Sequence, residues 1–124
     1  MNKKHITHGK LKVFMILFLA VILIVLVVVC AKKIKLAQNE KNIIGTWKNS
    51  NSENVITVQD SDTLILYKDI PEAGLYHGNA SYHFSYTDTI CITQDDISAE
   101  FDIDVDENQL IIYFAGQVYL VLQK

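Results

Sequence analysis

The stretch that decides the fold is "FDIDVDENQLIIYFAGQVYLVLQK", residues 101–124. Asp102, Asp104 and Asp106 sit at every second position, like the start of a calcium loop. Such a loop needs Gly at its sixth position and Glu at its twelfth. Counted from Asp102, those positions hold Glu107 and Tyr113. The residues between the acids explain the spacing better. Phe101, Ile103 and Val105 alternate with the aspartates, which is the period of a half-buried strand. With a two-residue turn at Glu107–Asn108, Val105 faces Leu110, Ile103 faces Ile112 and Phe101 faces Phe114. All six are apolar and share one face. The aspartates on the other face are read as solvated, and they discourage edge-to-edge pairing. No metal site is expected.

The next turn follows the same logic. A three-residue Ala115–Gly116–Gln117 loop, with Gly116 in the left-handed region, pairs Phe114 with Val118 and Ile112 with Leu120. Val118, Leu120 and Leu122 then join the inner face. A two-residue loop would instead bury Gln117 and Tyr119. Working back along the chain, Val, Ile, Thr, Tyr and Phe fill the runs, and Asn, Asp, Ser and Gly cluster between them. This predicts eight strands, at 43–48, 54–59, 63–68, 81–86, 89–93, 98–105, 109–114 and 118–123. Most connections are short, so successive strands are antiparallel neighbours. The expected fold is all-β: a small antiparallel up-and-down barrel of about eight short strands, preceded by one transmembrane α-helix. One connection is long. "DIPEAGLYHGNA", residues 69–80, holds the only Pro.

Ahead of the barrel runs "LKVFMILFLAVILIVLVVVCA", residues 11–31, without charge for nineteen residues after Lys12. A helix of that length reaches roughly 28 Å, the thickness of a bilayer's hydrocarbon core. A domain of about 80 residues has no means of surrounding a helix apolar on every side. The division is therefore a basic N-terminal tail (1–12), a transmembrane helix (13–31), a polar connector (32–42) that can prolong the helix, and a barrel domain (43–124). The core is longer than that of a usual signal peptide, and basic residues follow Ala31 at once, so an uncleaved signal-anchor is expected rather than cleavage after "VCA". "VVVC" ends at Cys30 like a lipoprotein box, but Val29 is too large for its position.

Charge is segregated. Residues 1–41 carry eight Lys and one Glu, and residues 42–124 carry three Lys and thirteen acids, so a net −3 divides into +7 and −10. The basic flanks suit anionic lipid. The acidic domain should avoid nucleic acid. Lysines are nearly balanced across the span, and the acidic, Lys-poor domain with a signal-like start favours a cytoplasmic N-terminus and an extracytoplasmic barrel. Cys30 and Cys91 lie on opposite sides of the membrane boundary, so no intramolecular disulfide is expected. Cys91 reads as a small buried apolar residue.

"IIGTWKNS", residues 43–50, opens the domain. Gly45-Thr46-Trp47 matches the G-x-W signature on the first strand of lipocalins. With the short antiparallel strands and the closing "GQVYLVLQK", the domain resembles the small lipocalin-like domains of bacterial exported and anchored proteins over about residues 43–124. It departs from the lipocalin pattern in two places. The T-D-Y motif is absent, "YTDT" at 86–89 having the wrong order. The basic residue that packs over the Trp is usually Arg, and the chain has none; Lys124 is a distant substitute.

Strands this short and inward residues as large as Phe84, Phe101, Ile112, Phe114 and Leu120 predict a filled interior. The ligand-binding candidates are Trp47, Tyr67, Tyr76, His77 and Tyr82. Tyr76 and His77 would line any pocket covered by the 69–80 loop. The competing reading makes Trp47 a core plug and the other two ordinary loop residues. Catalytic motifs are missing: there is no G-x-S-x-G and no phosphate loop. His77 and His83 are six apart, but His83 should point outward from its strand, so zinc is not expected. His5 and His8 read as polar tail residues. Cys91, between Ile90 and Ile92, lacks a base. Neither an enzyme nor a cofactor is expected. The reading is a membrane-anchored binding or interaction module whose partner is the membrane plus a protein or small ligand. The alternative is an accessory subunit acting through its transmembrane helix; that span carries no G-x-x-x-G and no polar residue at its centre.

Overall fold

The computed structural model describes the backbone of residues 2–124 and the side chains of residues 9–124. Of the basic tail, Met1 and the side chains of Lys3, Lys4, His5 and His8 lie outside the described residues. One long helix, α1 (Asn2–Asn42), is followed by β1 (Gly45–Lys48), β2 (Asn54–Val58), β3 (Thr63–Leu66), a 3-10 turn (Pro71–Ala73), β4 (Gly78–Tyr86), β5 (Thr89–Gln94), β6 (Ile97–Val105), β7 (Gln109–Phe114) and β8 (Gln117–Gln123). The chain divides into two compact units after Ile34.

The described residues of the first unit are helical throughout. Between Gly9 and Gly45 there is no Gly or Pro to interrupt it. By length and composition it is able to cross a membrane, as an anchor or as a signal sequence, and no part of its apolar window is buried. The polar 32–42 segment continues the same helix, so its last two turns, from Lys35, belong to the barrel unit.

In the second unit the eight strands close in sequence order, all antiparallel. All eight predicted strands are present. The β6–β7 register is the one its alternation demands: Val105 opposes Leu110 and Ile103 opposes Ile112. The rings of Phe101 and Phe114 pack at a tilt with centroids 5.3 Å apart. The core gathers Val55, Ile56, Val58, Leu64, Leu66, Tyr82, Ile90, Ile92, Phe101, Ile103, Val105, Leu110, Ile112 and Leu122, while Phe84, Phe114, Tyr119 and Leu120 pack against it half-buried. Asp102, Asp104 and His83 are exposed on the outer face.

Three details correct the sequence reading. The β7–β8 connection is a two-residue turn at Ala115–Gly116, with Phe114 opposite Gln117 and positive φ at both turn residues (52° and 79°). This is the mirror-type turn whose twist matches paired strands. A bulge then restores the expected pairing of Ile112 with Leu120, because Tyr113 opposes Val118 and Tyr119 is the extra residue. Val118 is thereby turned out and is 58% exposed, rather than joining the core. Second, β4 starts at Gly78, since Gly78–Ser81 pair with β3. Third, Cys91 is half-buried on the outer face of β5 between the buried Ile90 and Ile92.

Candidate functional site

The up-and-down order gives the barrel two ends. The start of β1 and the turns at 59–62, 87–88 and 106–108 share one; those at 49–53, 67–77, 95–96 and 115–116 share the other.

At the first end the barrel grips the last turns of α1. A helix leaves its final carbonyls without partners. Here the Trp47 indole N–H donates to the Ile43 carbonyl at 2.8 Å. Lys124 Nζ donates to the Asn42 carbonyl at 3.0 Å. The same ammonium lies 5.0 Å from the Trp47 ring centroid, within cation–π range. Asn39 is buried, and its amide donates to the Thr87 carbonyl (2.9 Å) and to Asp88 Oδ1 (3.2 Å). Gly45 has φ +136°, and a Cβ there would stand 2.9 Å from Lys124 Cε. The glycine is thus needed twice, for the backbone and for the lysine stem. Tyr82, also inward, donates to the Asp60 carbonyl at 2.6 Å. Burial first, and then the Asp60 charge, push its phenol up to about 12.

At the other end the long connection is a plug. Ile70 and Leu75 pair as an isolated bridge and are 4% and 0% exposed, closing the barrel mouth. Gln94 clamps the loop through its side chain: Oε1 accepts from the Tyr76 N–H and Nε2 donates to the Tyr76 carbonyl, both at 2.8 Å. Asp69 accepts from the His77 N–H and pairs with His77 Nδ1 at 2.7 Å. Both bonds hold the Asp69 carboxyl below its ordinary range.

Beside this plug lies a cleft of about 240 Å³, lined by Asn49, Val55, Ile56, Leu66, Lys68, Asp69, Ile70, Tyr119 and Leu120. Its floor is apolar and its rim carries one cation and one anion. Lys68 is bonded to Glu53 at 3.0 Å on the surface. Tyr119 donates to Glu72 at 2.6 Å, which ties β8 to the 3-10 turn. That bond lowers the Glu72 carboxyl and raises the Tyr119 phenol to about 12. A more open depression, about 370 Å³, crosses β3, β4 and β5. Among the described residues no three His, Cys, Asp or Glu side chains converge as a metal cluster would.

The five residues picked from sequence do not converge. Trp47 is wholly buried at the helix end, and Tyr82 is buried with its hydroxyl in the 59–62 turn. Tyr67, Tyr76 and His77 belong to the opposite end and are exposed; Tyr67 bonds Thr57 through its hydroxyl at 3.0 Å. None of the five lines the cleft. Of the residues that do, Tyr119 carried a sequence signal, since the two-residue loop at 115–116 turns it inward. Asp69 and Ile70 belong to the 69–80 loop expected to cover any pocket, but their approach to β8, like that of Lys68, depends on barrel closure. No family model matches the chain, and neither the curated proteins nor the solved structures contain a match.

Proposed function

We propose that this chain is a membrane-anchored, non-catalytic binding module. α1 remains in the bilayer as a signal-anchor with its N-terminus cytoplasmic, and the acidic barrel stands on the extracytoplasmic side. The observation that carries this reading is the apolar window of α1, none of which the protein itself covers. Phe14, Leu19 and Leu23 are more than half exposed, and water is a poor neighbour for such a surface. A lipocalin-like relationship is supported by the G-x-W strand, by Lys124 over Trp47 where that family places a basic side chain, and by the up-and-down closure. A binding rather than catalytic role is supported by a filled interior beside one small apolar cleft. No cofactor or nucleic-acid partner belongs to the reading, since the barrel's negative charge repels phosphate backbones.

A tag placed after Lys124 tests the topology. Protease added to intact cells whose membrane face is accessible should remove the tag and spare a cytoplasmic control. The chain should also resist alkaline extraction from membranes. A protected tag would overturn the extracytoplasmic placement, and release by alkali would overturn the anchor.

A further inference from the structure

The barrel is closed by very little. β8 runs over seven residues and β1 over four, and the two meet in one pair, Lys48 with Gln123. Beyond that pair β1 has no more strand to offer. The chain turns back at once, with the Asn49 N–H donating to the Glu53 carbonyl and Asn49 Oδ1 accepting from the Asn51 and Glu53 N–H groups. On its other side β8 is paired along the whole of β7. Among the described residues, no backbone hydrogen bond from turns or loops reaches residues 117–122 either. The plug approaches β8 only through side chains, Tyr119 to Glu72. The β1-facing backbone groups of Gln117–Val121 therefore form an open edge, inside a barrel that is otherwise continuous.

Natural sheets blunt such edges with charge, Pro or cover. Here residues 115–122, "AGQVYLVL", contain neither a charge nor a Pro. The bulge at Tyr119 leaves Val118 and Val121 58% and 48% exposed on the outer face, while Tyr119 and Leu120 line the cleft. An edge with apolar positions on both faces and a pocket beside it has the parts that strand addition uses. Main-chain bonds supply affinity and a side-chain pocket supplies selectivity. The cleft's 240 Å³ is below the roughly 300–1,000 Å³ usual for small-molecule sites, and it suits an inserted side chain better than a separate ligand.

We propose that Gln117–Val121 accepts an added strand from a partner chain: an extended segment with apolar side chains at alternate positions and basic residues beside them. The basic character follows from charge. Residues 42–124 carry a net −10; Asp69 and Glu72 flank the open edge, and the cation on the cleft rim, Lys68, is already paired with Glu53. A second copy brings the same −10 and is repelled; a cationic segment is drawn in. This partner class rests on the binding-module reading, but its test does not depend on which side of the membrane the barrel occupies.

The full chain in nanodiscs is probed with a labelled Lys-Thr-Val-Thr-Val-Thr-Val-Lys peptide. In the free chain, edge amides within 117–121 should exchange with solvent at least about 100-fold faster than those of β7, as unpaired groups do. The peptide should slow that exchange. Val118→Lys and Val121→Lys should weaken peptide binding at least about tenfold while leaving the unfolding midpoint in place. Glu100→Lys, an exposed change on β6, should weaken it less than about threefold, since it alters only the distant field. The proposal is overturned if the free edge amides are already protected, including protection by a dimer seen in sedimentation. It is also overturned if the peptide fails to bind, or if it binds both Val→Lys variants like the parent chain. Failure of the protease test instead removes the extracytoplasmic placement and leaves these results standing.

Discussion

The turn between β7 and β8 offers a sharp test, because two turn geometries make opposite statements about one alanine. In the structure Ala115 has φ +52° and Gly116 has φ +79°. A left-handed backbone costs an L-residue with an ordinary side chain roughly 1–2 kcal/mol, and Asn tolerates it better. Asn-Gly is also the strongest pair for a mirror-type two-residue turn. Ala115 is exposed, so changing it disturbs little packing. Ala115→Asn should therefore stabilise the barrel by about 0.5–1 kcal/mol, which for a domain of this size raises the midpoint by about 2–8 °C. Gly116→Ala is the companion variant. An added Cβ there meets nothing within 4 Å, so its cost is backbone alone, about 1 kcal/mol of destabilisation. The assay is Trp47 fluorescence during thermal or urea unfolding in micelles. Trp47 is the only tryptophan and is wholly buried, so its emission reports on the barrel and not on the N-terminal helix. In a three-residue loop, with only Gly116 left-handed, Ala115 would be unstrained. A midpoint unchanged or lowered by Ala115→Asn, alongside destabilisation by Gly116→Ala, would refute the two-residue turn and the bulge that follows from it.

Three other perturbations follow from the same geometry. Gly45→Ala should cost about 1–3 kcal/mol in urea unfolding, since it strains a φ of +136° and drives a methyl into Lys124; Lys124→Ala should recover only part of that loss. Leu75→Ala removes the plug side chain, which is 0% exposed, and should cost about 2–5 kcal/mol in the same assay. Asp60 accepts N–H bonds from Asp62 and Thr63, the Asp62 backbone bond being the largest influence, and its carboxyl is lowered from 3.8 to about 2. A depressed folded-state value contributes stability that is present above pH 3.8 and lost as pH falls through about 2. Asp62 is shifted upward by its bond to Asp60 and opposes this in part. The midpoint difference between the parent chain and Asp60→Asn should shrink as pH drops from 4 to 2. A constant difference across that range would disprove the linkage.

Much of the architecture was legible in the chain because two local periods carry it. Alternation in Phe101–Val105 and Leu110–Phe114 has one register that buries Phe101, Ile103, Val105, Leu110 and Ile112 together, and a slip of one would expose them. An uncharged run of nineteen residues needs no tertiary context to be recognised as long and apolar enough to cross a membrane. The G-x-W stretch offered Trp47 both as a ligand contact and as a core plug at a barrel end, and did not show what its indole N–H would meet. The candidate site was far less legible. Ile70 and Leu75 are two apolar residues without period in a Pro- and Gly-bearing loop, and only the barrel mouth gives them something to fill. Lys124 reaches Trp47 across 77 positions because closure brings the last residue beside the first strand.

The bulge at Tyr119 and the open edge of β8 have a common cause. Pairing preferences act between neighbours, so each hairpin is encoded where it occurs. Closure is a demand on all eight strands at once: a four-residue β1 must meet a seven-residue β8 at the angle left by seven previous pairings. What that demand leaves unpaired is determined by the circumference of the whole barrel, a quantity that no short stretch of residues contains.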